Sequence, residues 1–277
     1  MSDPRPIGVF DSGVGGLSVW REIARQLPRE NIICLADQAH VPYGSRRLAE
    51  VRALSESITR FLLAQEAKII VVACNTASAA ALHHLRRTFP SVLFVGMEPA
   101  IKPAVERTDN GVVGVIATQA TFQGKLFASL VERYAGNVRV LTQTCPGLVE
   151  AVEAGALNTP ETKSLLQKYL TPLVEAGVDQ LVLGCTHYPF LRPSIEQVIG
   201  ASVAVIDPAS AVARQTARVL TQRGIKANQG QKACRVFYTS GDAANFAAMI
   251  ERLLPLSGKD VEARAVRWRA GRIYLAS

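Results

Sequence analysis

The sequence lacks the features by which secreted, membrane-spanning and disulfide-rich proteins are recognised. Its five cysteines are odd in number and widely spaced, at positions 34, 74, 145, 185 and 234, which argues against a disulfide framework. No charged and apolar leader precedes Ile7, so we expect a cytoplasmic protein with reduced thiols. The longest apolar runs have six or seven residues, well short of the roughly 20 that cross a bilayer, so we expect no membrane partner.

Metal and cofactor motifs are missing or incomplete. No Cys-x-x-Cys pair occurs and there are only four histidines, so we expect no metal site. The run Gly13-x-Gly15-x-x-Ser18, with Asp37 downstream, partly imitates a dinucleotide fingerprint, but its third small residue is serine and Asp11 would repel a pyrophosphate. No Gly-Lys-Ser/Thr follows it. We therefore expect no cofactor, and the run is either a tight turn or a helix N-terminus whose amides bind a carboxylate.

Charge is uneven along the chain. The formal net charge is +8, and the residues from Ala211 onward hold twelve Lys/Arg against four Asp/Glu. The basic residues are mostly isolated and few aromatic residues accompany them, so we expect a solvated helical face. Binding to nucleic acid or another polyanion is the alternative for this region.

The apolar pattern predicts alternating strands and helices. With 277 residues and 48% hydrophobic content, the chain can form one large domain or two of ordinary size. Most of the expected strands are short, continuous apolar runs, which are typical of a parallel sheet covered on both faces. The predicted strands are 7–10, 32–36, 68–73, 92–96, 112–117, 138–142, 180–184, 203–206 and a last one near 234–238.

An internal repeat divides the chain. Residues 7–12 resemble 113–118, the run ending at Cys74 resembles the run ending at Cys185, and residues 98–100 resemble 207–209. The offsets are about 106, 111 and 109 residues, so three strand ends recur in the same order. We expect two pseudo-symmetric parallel-sheet α/β domains, residues 1–97 plus 209–277 and residues 98–208, with the active site in the cleft between them.

Two thiols occupy matching places in this repeat. Cys74 and Cys185 each follow an apolar strand and are followed by polar residues, and ligands of parallel sheets bind at the carboxyl ends of strands. If the chain stays extended after each strand, Cys185 and His187 project to the same side. The other three cysteines are interpreted as small buried hydrophobic residues. A redox dithiol is an alternative, although such pairs normally lie closer in sequence.

Five motifs resemble the glutamate racemase family, a cofactor-independent branch of the aspartate/glutamate racemases, over about residues 7–215. They are Asp11-Ser12-Gly13-x-Gly15-Gly16, Pro42-Tyr43-Gly44-Ser45, Cys74-Asn75-Thr76-Ala77, Glu98-Pro99-Ala100 and Gly184-Cys185-Thr186-His187-Tyr188-Pro189. One departure is Glu150, where related sequences often carry proline ahead of the acidic residue that aligns with Glu153.

The resemblance implies interconversion of L- and D-glutamate by two cysteines without pyridoxal phosphate, with D-glutamate supplying peptidoglycan. It implies that Cys74 and Cys185 are the two bases, that Asp11 assists the first and His187 the second, and that Glu153 lies near the second. It also implies a set of substrate-binding residues: Asp11, Ser12, Tyr43, Gly44, Asn75, Thr76, Thr186 and His187. A homodimer is expected.

Alternatives remain at this stage. The nearest is an aspartate racemase or another two-cysteine enzyme acting on a different small acid. A protein that binds a small acid without catalysis is a different class, and it would show affinity without proton exchange. An interaction of the basic C-terminal region with nucleic acid or DNA gyrase is a further alternative that no particular residue supports.

Overall fold

A computed structural model describes residues 2–228, 230–256 and 262–276. The strands are β1 (Ile7–Asp11), β2 (Ile32–Ala36), β3 (Ile69–Val72), β4 (Phe94–Gly96), β5 (Val112–Ala117), β6 (Arg139–Thr144), β7 (Gln180–Gly184), β8 (Ala204–Ile206), β9 (Arg235–Thr239), β10 (Glu262–Arg269) and β11 (Arg272–Leu275). The helices are α1 (Gly16–Gln26), α2 (Leu48–Ala64), α3 (Asn75–Thr88), α4 (Ile101–Val105), α5 (Gln119–Gln123), α6 (Lys125–Tyr134), α7 (Leu148–Glu153), α8 (Pro160–Glu175), α9 (Arg192–Ile199), α10 (Ala209–Gln222) and α11 (Ala243–Leu253). Single 3-10 turns lie at Tyr43–Ser45 and Tyr188–Leu191.

The strands form two sheets, which confirms the predicted α/β fold class. Seven strands are ordered β11-β10-β9-β2-β1-β3-β4, and four are ordered β6-β5-β7-β8. The order 2-1-3-4 of the first four strands thus recurs as 6-5-7-8, and all these neighbours pair in parallel. The repeat seen in the sequence is therefore a repeat of topology. The proposed domain boundaries at 97 and 208 stay a prediction, and they fall between β4 and α4 and between β8 and α10.

Local sequence explains the elements that carry the site. β3 reads Ile-Ile-Val-Val and is buried along its whole length, as expected for a central parallel strand whose β-branched residues pack on both faces. Cys74 is the N-cap of α3, where its Sγ accepts a hydrogen bond from the backbone N–H of Ala77. Strand β3 and helix α3 thus fix this thiol between them.

The C-terminal region differs from the expectation. The strand predicted near 234–238 is present as β9, and helices α10 and α11 lie in the basic region, but this strand is not the last one. An unpredicted hairpin, β10–β11, follows α11. Its two-residue turn, Ala270-Gly271, has positive φ at both positions, as type I′ hairpin turns require. Arginines are interspersed with apolar residues through this segment, which is typical of a strand with one exposed face and differs from the continuous apolar runs of the buried strands.

Two further expectations concern the remaining cysteines and membrane-spanning helices. Cys34 and Cys145 are buried, as predicted, but Cys234 is exposed because it precedes β9 in a connecting segment. Among the described residues, no helix is both long enough and apolar enough to cross a membrane.

Candidate active site

The predicted site residues meet at the carboxyl ends of strands from both sheets. One narrow cavity of about 10 Å³ lies between them, with room for about one water molecule. It is lined by Ser12, Pro42, Tyr43, Gly44, Cys74, Asn75, Thr76, Thr118, Val149, Cys185, Thr186 and His187. Of the predicted residues, only Asp11 and Glu153 stand outside this lining, and each contacts residues of the lining directly.

Cys74 lies on the side of the first sheet. Its Sγ donates to the Ser12 Oγ at 3.9 Å, and the Ser12 hydroxyl donates in turn to Asp11 Oδ1 at 3.3 Å. Burial, and secondly the charge of Asp11, raise the pKa of the Cys74 thiol far above its usual range. Both influences favour the neutral thiol over the thiolate.

Asp11 connects the two halves of the site. The carboxylate is fully buried at the end of β1, and it accepts hydrogen bonds from the Gly13 N–H at 2.9 Å and the Thr186 hydroxyl at 2.9 Å. Burial raises the pKa of the Asp11 carboxyl above its usual value, although the charge of His187 acts in the opposite direction. Since Thr186 follows Cys185, Asp11 joins the end of β1 to the loop after the second thiol.

Cys185 has a different set of neighbours. Its Sγ lies 3.7 Å from His187 Nδ1, and His187 Nε2 lies 2.7 Å from Glu153 Oε1. Burial alone would lower the pKa of the His187 imidazole, but its bonds to Cys185 and Glu153 raise that pKa well above the usual value. Burial would likewise raise the pKa of Glu153, but hydrogen bonds from His187, Gln38 and Val14 lower it. The second thiol therefore faces an imidazolium–carboxylate pair.

The route to this contact differs from the prediction. The chain turns directly after Cys185, and His187 has helical dihedral angles, so the two side chains do not meet by alternation along an extended strand. They meet because the turn folds the imidazole back over the thiol, while Glu153 at the end of α7 holds the far side of the ring.

The glycine-rich loop is shaped by this pair. A Cβ at Gly13 would lie 1.9 Å from Glu153 Oε1, and one at Gly15 would lie 2.4 Å from His187 Nδ1. The backbone N–H of Val14 donates to Glu153 Oε1 at 2.7 Å. The amides of the loop thus bind a carboxylate, as one of the two interpretations predicted, but that carboxylate belongs to the chain itself.

Tyr43 and Gly44 line the cavity from the segment after β2. The Tyr43 side chain is buried and its hydroxyl donates to Asp37 Oδ2 at 2.7 Å, so this hydroxyl is already occupied. Gly44 approaches the second half so closely that a Cβ would lie 2.6 Å from the Thr118 Cβ. The two halves therefore touch across the cavity.

The first turn of α3 supplies Asn75 and Thr76. Asn75 Oδ1 is buried and has no hydrogen-bond partner among the described residues, which leaves an acceptor at the cavity wall. The Thr76 hydroxyl lies 2.9 Å from the Thr118 hydroxyl and 3.3 Å from that of Thr121. Three threonine hydroxyls thus join α3 to the segment after β5.

Thr118 lines the cavity but was not among the predicted site residues. The repeat contained the signal, because aligning residues 7–12 with 113–118 places Thr118 at the position of Ser12. Both residues follow the first strand of their repeat and both line the cavity. The repeat thus predicts paired hydroxyls as well as paired thiols.

A second cavity, of about 150 Å³, adjoins the first. The two share Pro42, Gly44, Thr118 and Val149, and the larger one also contacts Cys145 and Glu150. It forms a vestibule on one side of the thiol-lined cavity, between the segment after β2 and residues that follow β5 and β6.

Comparison with known proteins agrees with this geometry. Residues 7–216 match the family model described as Asp/Glu/Hydantoin racemase. A glutamate racemase from Roseiflexus sp. (strain RS-1) is 51% identical over 259 residues, which cover 91% of this chain and 94% of that protein. The chain belongs to the glutamate racemase family. Its members are enzymes of the isomerase class.

Solved structures of this family resemble the whole chain. Glutamate racemase isoform RacE1 from Bacillus anthracis superposes with a TM-score of 0.86 at 33% identity, covering 96% of this chain and 98% of that one. The glutamate racemase of Francisella tularensis, solved in complex with D-glutamate, gives a TM-score of 0.83 at 29% identity over 96% and 98% of the two chains. The match to these solved racemases therefore extends beyond residue 216, where the family model ends.

Proposed function

We propose that this enzyme interconverts L- and D-glutamate with Cys74 and Cys185 as its two acid/base groups. The observation that carries the proposal is that two buried thiols, from equivalent strand ends of two repeats, line one cavity. Racemisation requires removal of the α-proton from one face of the carbon and delivery of a proton to the opposite face. A thiol on each side of one small cavity suits that requirement.

In the direction from L-glutamate, the Cys185 thiolate takes the α-proton and the Cys74 thiol gives its proton to the opposite face. The C–H bond breaks on one side, the electron pair stays on carbon, and a new C–H bond forms on the other side. Each turnover thus leaves Cys185 protonated and Cys74 ionised, which is the state that D-glutamate requires. The reverse reaction uses the same steps in the opposite order.

The surroundings of the two thiols support this assignment. A cationic imidazole beside a thiol favours the thiolate form, and His187 held by Glu153 supplies one beside Cys185. Cys74 faces the Ser12 hydroxyl and, behind it, the Asp11 carboxylate, which can accept a proton through that hydroxyl. We therefore propose His187 and Glu153 as the assisting groups on one side and Asp11 on the other.

The remaining predicted residues are proposed to bind the substrate. Asn75 Oδ1 is a buried acceptor without a partner among the described residues, which suits the substrate ammonium group. The hydroxyls of Ser12, Thr76 and Thr186, together with backbone groups at Tyr43 and Gly44, are proposed to hold the two carboxylates. Such fixed donors would stabilise the charge that develops when the α-proton leaves. No cofactor takes part in this scheme.

We also propose the biological setting that the family resemblance implies. The enzyme would act in the cytoplasm and supply D-glutamate for peptidoglycan, and its active form would be a homodimer. Sedimentation equilibrium at the protein concentrations used for assay tests the dimer, and a monomer with full activity would contradict it.

Turnover in heavy water tests the proposed reaction. Pure protein incubated with L-glutamate in D₂O should lose optical rotation while the α-carbon gains deuterium. Cys74→Ala and Cys185→Ala should each abolish racemisation, since one face then lacks its acid/base group. Cys34→Ala is the matched control, because Cys34 is an equally buried cysteine in β2 outside the cavity lining. Substantial racemisation in either active-site variant would contradict the two-thiol mechanism.

A further inference from the structure

Asp37 is a buried carboxylate that the proposed reaction does not use. It follows β2, is fully buried, and accepts hydrogen bonds from four side chains. The donors are His40 Nδ1 at 2.9 Å, the Tyr43 hydroxyl at 2.7 Å, the Ser240 hydroxyl at 2.7 Å and Trp268 Nε1 at 2.8 Å. A buried anion is stable only while such donors stay in place, so these four groups are held together strongly.

The four donors come from two different parts of the chain. His40 and Tyr43 belong to the segment 38–45, which passes over the thiol-lined cavity. Ser240 follows β9 and Trp268 lies on β10, both beyond the residues of the family model. Asp37 therefore ties the segment over the cavity to the C-terminal strands.

The bonds to Asp37 help to fix the position of segment 38–45, together with hydrogen bonds from Gln38 to Glu153 and from the Ala39 N–H to Ser240. Its regular structure is limited to one 3-10 turn at Tyr43–Ser45, so backbone hydrogen bonds alone hold it weakly. Its placement must also be accurate, because Gly44 is in close contact with Thr118 from the other half of the molecule. A small displacement of this segment would change both the cavity wall and the contact between the halves.

Trp268 is itself held firmly. It pairs with Ile273 across the β10–β11 hairpin, and its ring meets the His40 ring edge-on, with centroids 4.9 Å apart. The hairpin thus presents a rigid N–H donor to Asp37. We propose that Trp268 is a positioning residue for racemisation, which fixes segment 38–45 through Asp37 and thereby sets the affinity for glutamate. This inference rests on the proposed function.

Replacing Trp268 by phenylalanine tests the proposal, because it removes the N–H and keeps an aromatic ring. The KM for both enantiomers of glutamate should rise about tenfold, since a hydrogen bond to a charged group is lost and the wall of the binding site loosens, while kcat changes less. The matched control is Trp20→Phe. Trp20 is fully buried in α1, and its Nε1 has no hydrogen-bond partner among the described residues. The control should lower Tm without changing KM.

Fluorescence gives a second measurement, whose main arm uses the Trp20→Phe protein and so does not require the Trp268 variant to fold. The chain has two tryptophans, so Trp268 is the sole tryptophan of the Trp20→Phe protein and can be excited selectively over the tyrosines. Saturating D-glutamate should shift or quench its emission, because ligand binding orders the segment that Trp268 supports. In the Trp268→Phe protein, the emission of Trp20 should stay constant under the same titration.

The outcomes separate failure of the inference from failure of the proposed function. If the native enzyme does not racemise glutamate, the proposed function fails and this inference fails with it. If the native enzyme is active but Trp268→Phe has the KM of Trp20→Phe, the positioning role is wrong. An unchanged Trp268 emission at saturating D-glutamate, with full activity of the Trp20→Phe protein, would also overturn it.

Discussion

Gly15→Ala should damage the site through a single methyl group. The backbone at Gly15 is helical (φ −53°, ψ −37°), so alanine fits its dihedral angles and no backbone strain arises. The added Cβ would instead lie 2.4 Å from His187 Nδ1 and 2.5 Å from Thr186 Oγ1. Ordinary contacts begin at 3.4 Å, so these side chains must move by about 1 Å (3.4 − 2.4).

Such a displacement acts on both sides of the site. His187 loses its alignment with Cys185 and Glu153, and Thr186 loses its bond to Asp11. Misplacing a catalytic group by about 1 Å costs on the order of 100-fold in rate. Overpacking costs about 1–3 kcal/mol of unfolding free energy, which corresponds to a decrease of several degrees in Tm for a chain of this size. We expect kcat/KM to fall by about two orders of magnitude in a protein that still folds.

The assay measures racemisation by circular dichroism, with thermal unfolding of the same samples. Gly230→Ala is the matched control, since a Cβ there meets none of the described residues within 4 Å. That variant should keep native activity and a native or slightly higher Tm. If Gly15→Ala keeps the native kcat/KM, His187 does not occupy the position described above, and its role as the partner of Cys185 is refuted.

Two further predictions concern the acid/base pair and the contact between the halves. The pKa of His187 is raised in the folded protein, so its protonation stabilises the fold. This stabilisation is complete below about pH 6.5 and is lost as the pH rises through the folded-state pKa, so the unfolding free energy from urea titrations should fall over that range. Contacts with Cys185 and Glu153 both raise this pKa, so Glu153→Gln, which removes one of them, should flatten the decrease and lower kcat/KM about 100-fold. An unchanged pH dependence would show that the pair is not charged. Thr118→Val removes one hydroxyl from the cluster of Thr76, Thr118 and Thr121 and should raise KM about fivefold. The control variant Thr142→Val, on the exposed part of β6, should leave KM unchanged. Equal KM values in the two variants would exclude a binding role for the cluster.

The sequence predicted the parts of the site that depend on the repeat. Strands ending at Cys74 and Cys185 occupy equivalent places in the two sheets because the same order of strands is built twice. Parallel pairing then brings the carboxyl ends to one side, so residues that follow different strands can be assigned to one cleft before any coordinates are known. The assisting roles of Asp11 and Glu153, in contrast, were implied only by the family resemblance. Neither residue lines the cavity, and each contacts residues that do.

Contacts between distant segments could not be predicted in this way. Trp268 and Asp37 are 231 residues apart, and they meet only because β10 pairs with β9, which pairs with β2. The sequence of the hairpin shows alternation and a turn, but it does not show which sheet edge the hairpin joins. Such long-range pairing is set by the packing of the whole sheet, so the support behind segment 38–45 became visible only in the structure.

The two thiols are equivalent in topology and different in chemistry, and this difference has a strict limit. L- and D-glutamate have equal free energies in water, so kcat/KM must be equal in the two directions whatever surrounds each thiol. The imidazolium beside Cys185 and the hydroxyl–carboxylate pair beside Cys74 therefore cannot favour one product. They can only change which thiol is ionised in the free enzyme. The separate values of kcat and KM can therefore differ between the enantiomers, while the ratio kcat/KM is the same for both. The repeat supplies two opposed thiols, and each thiol has its own set of polar neighbours.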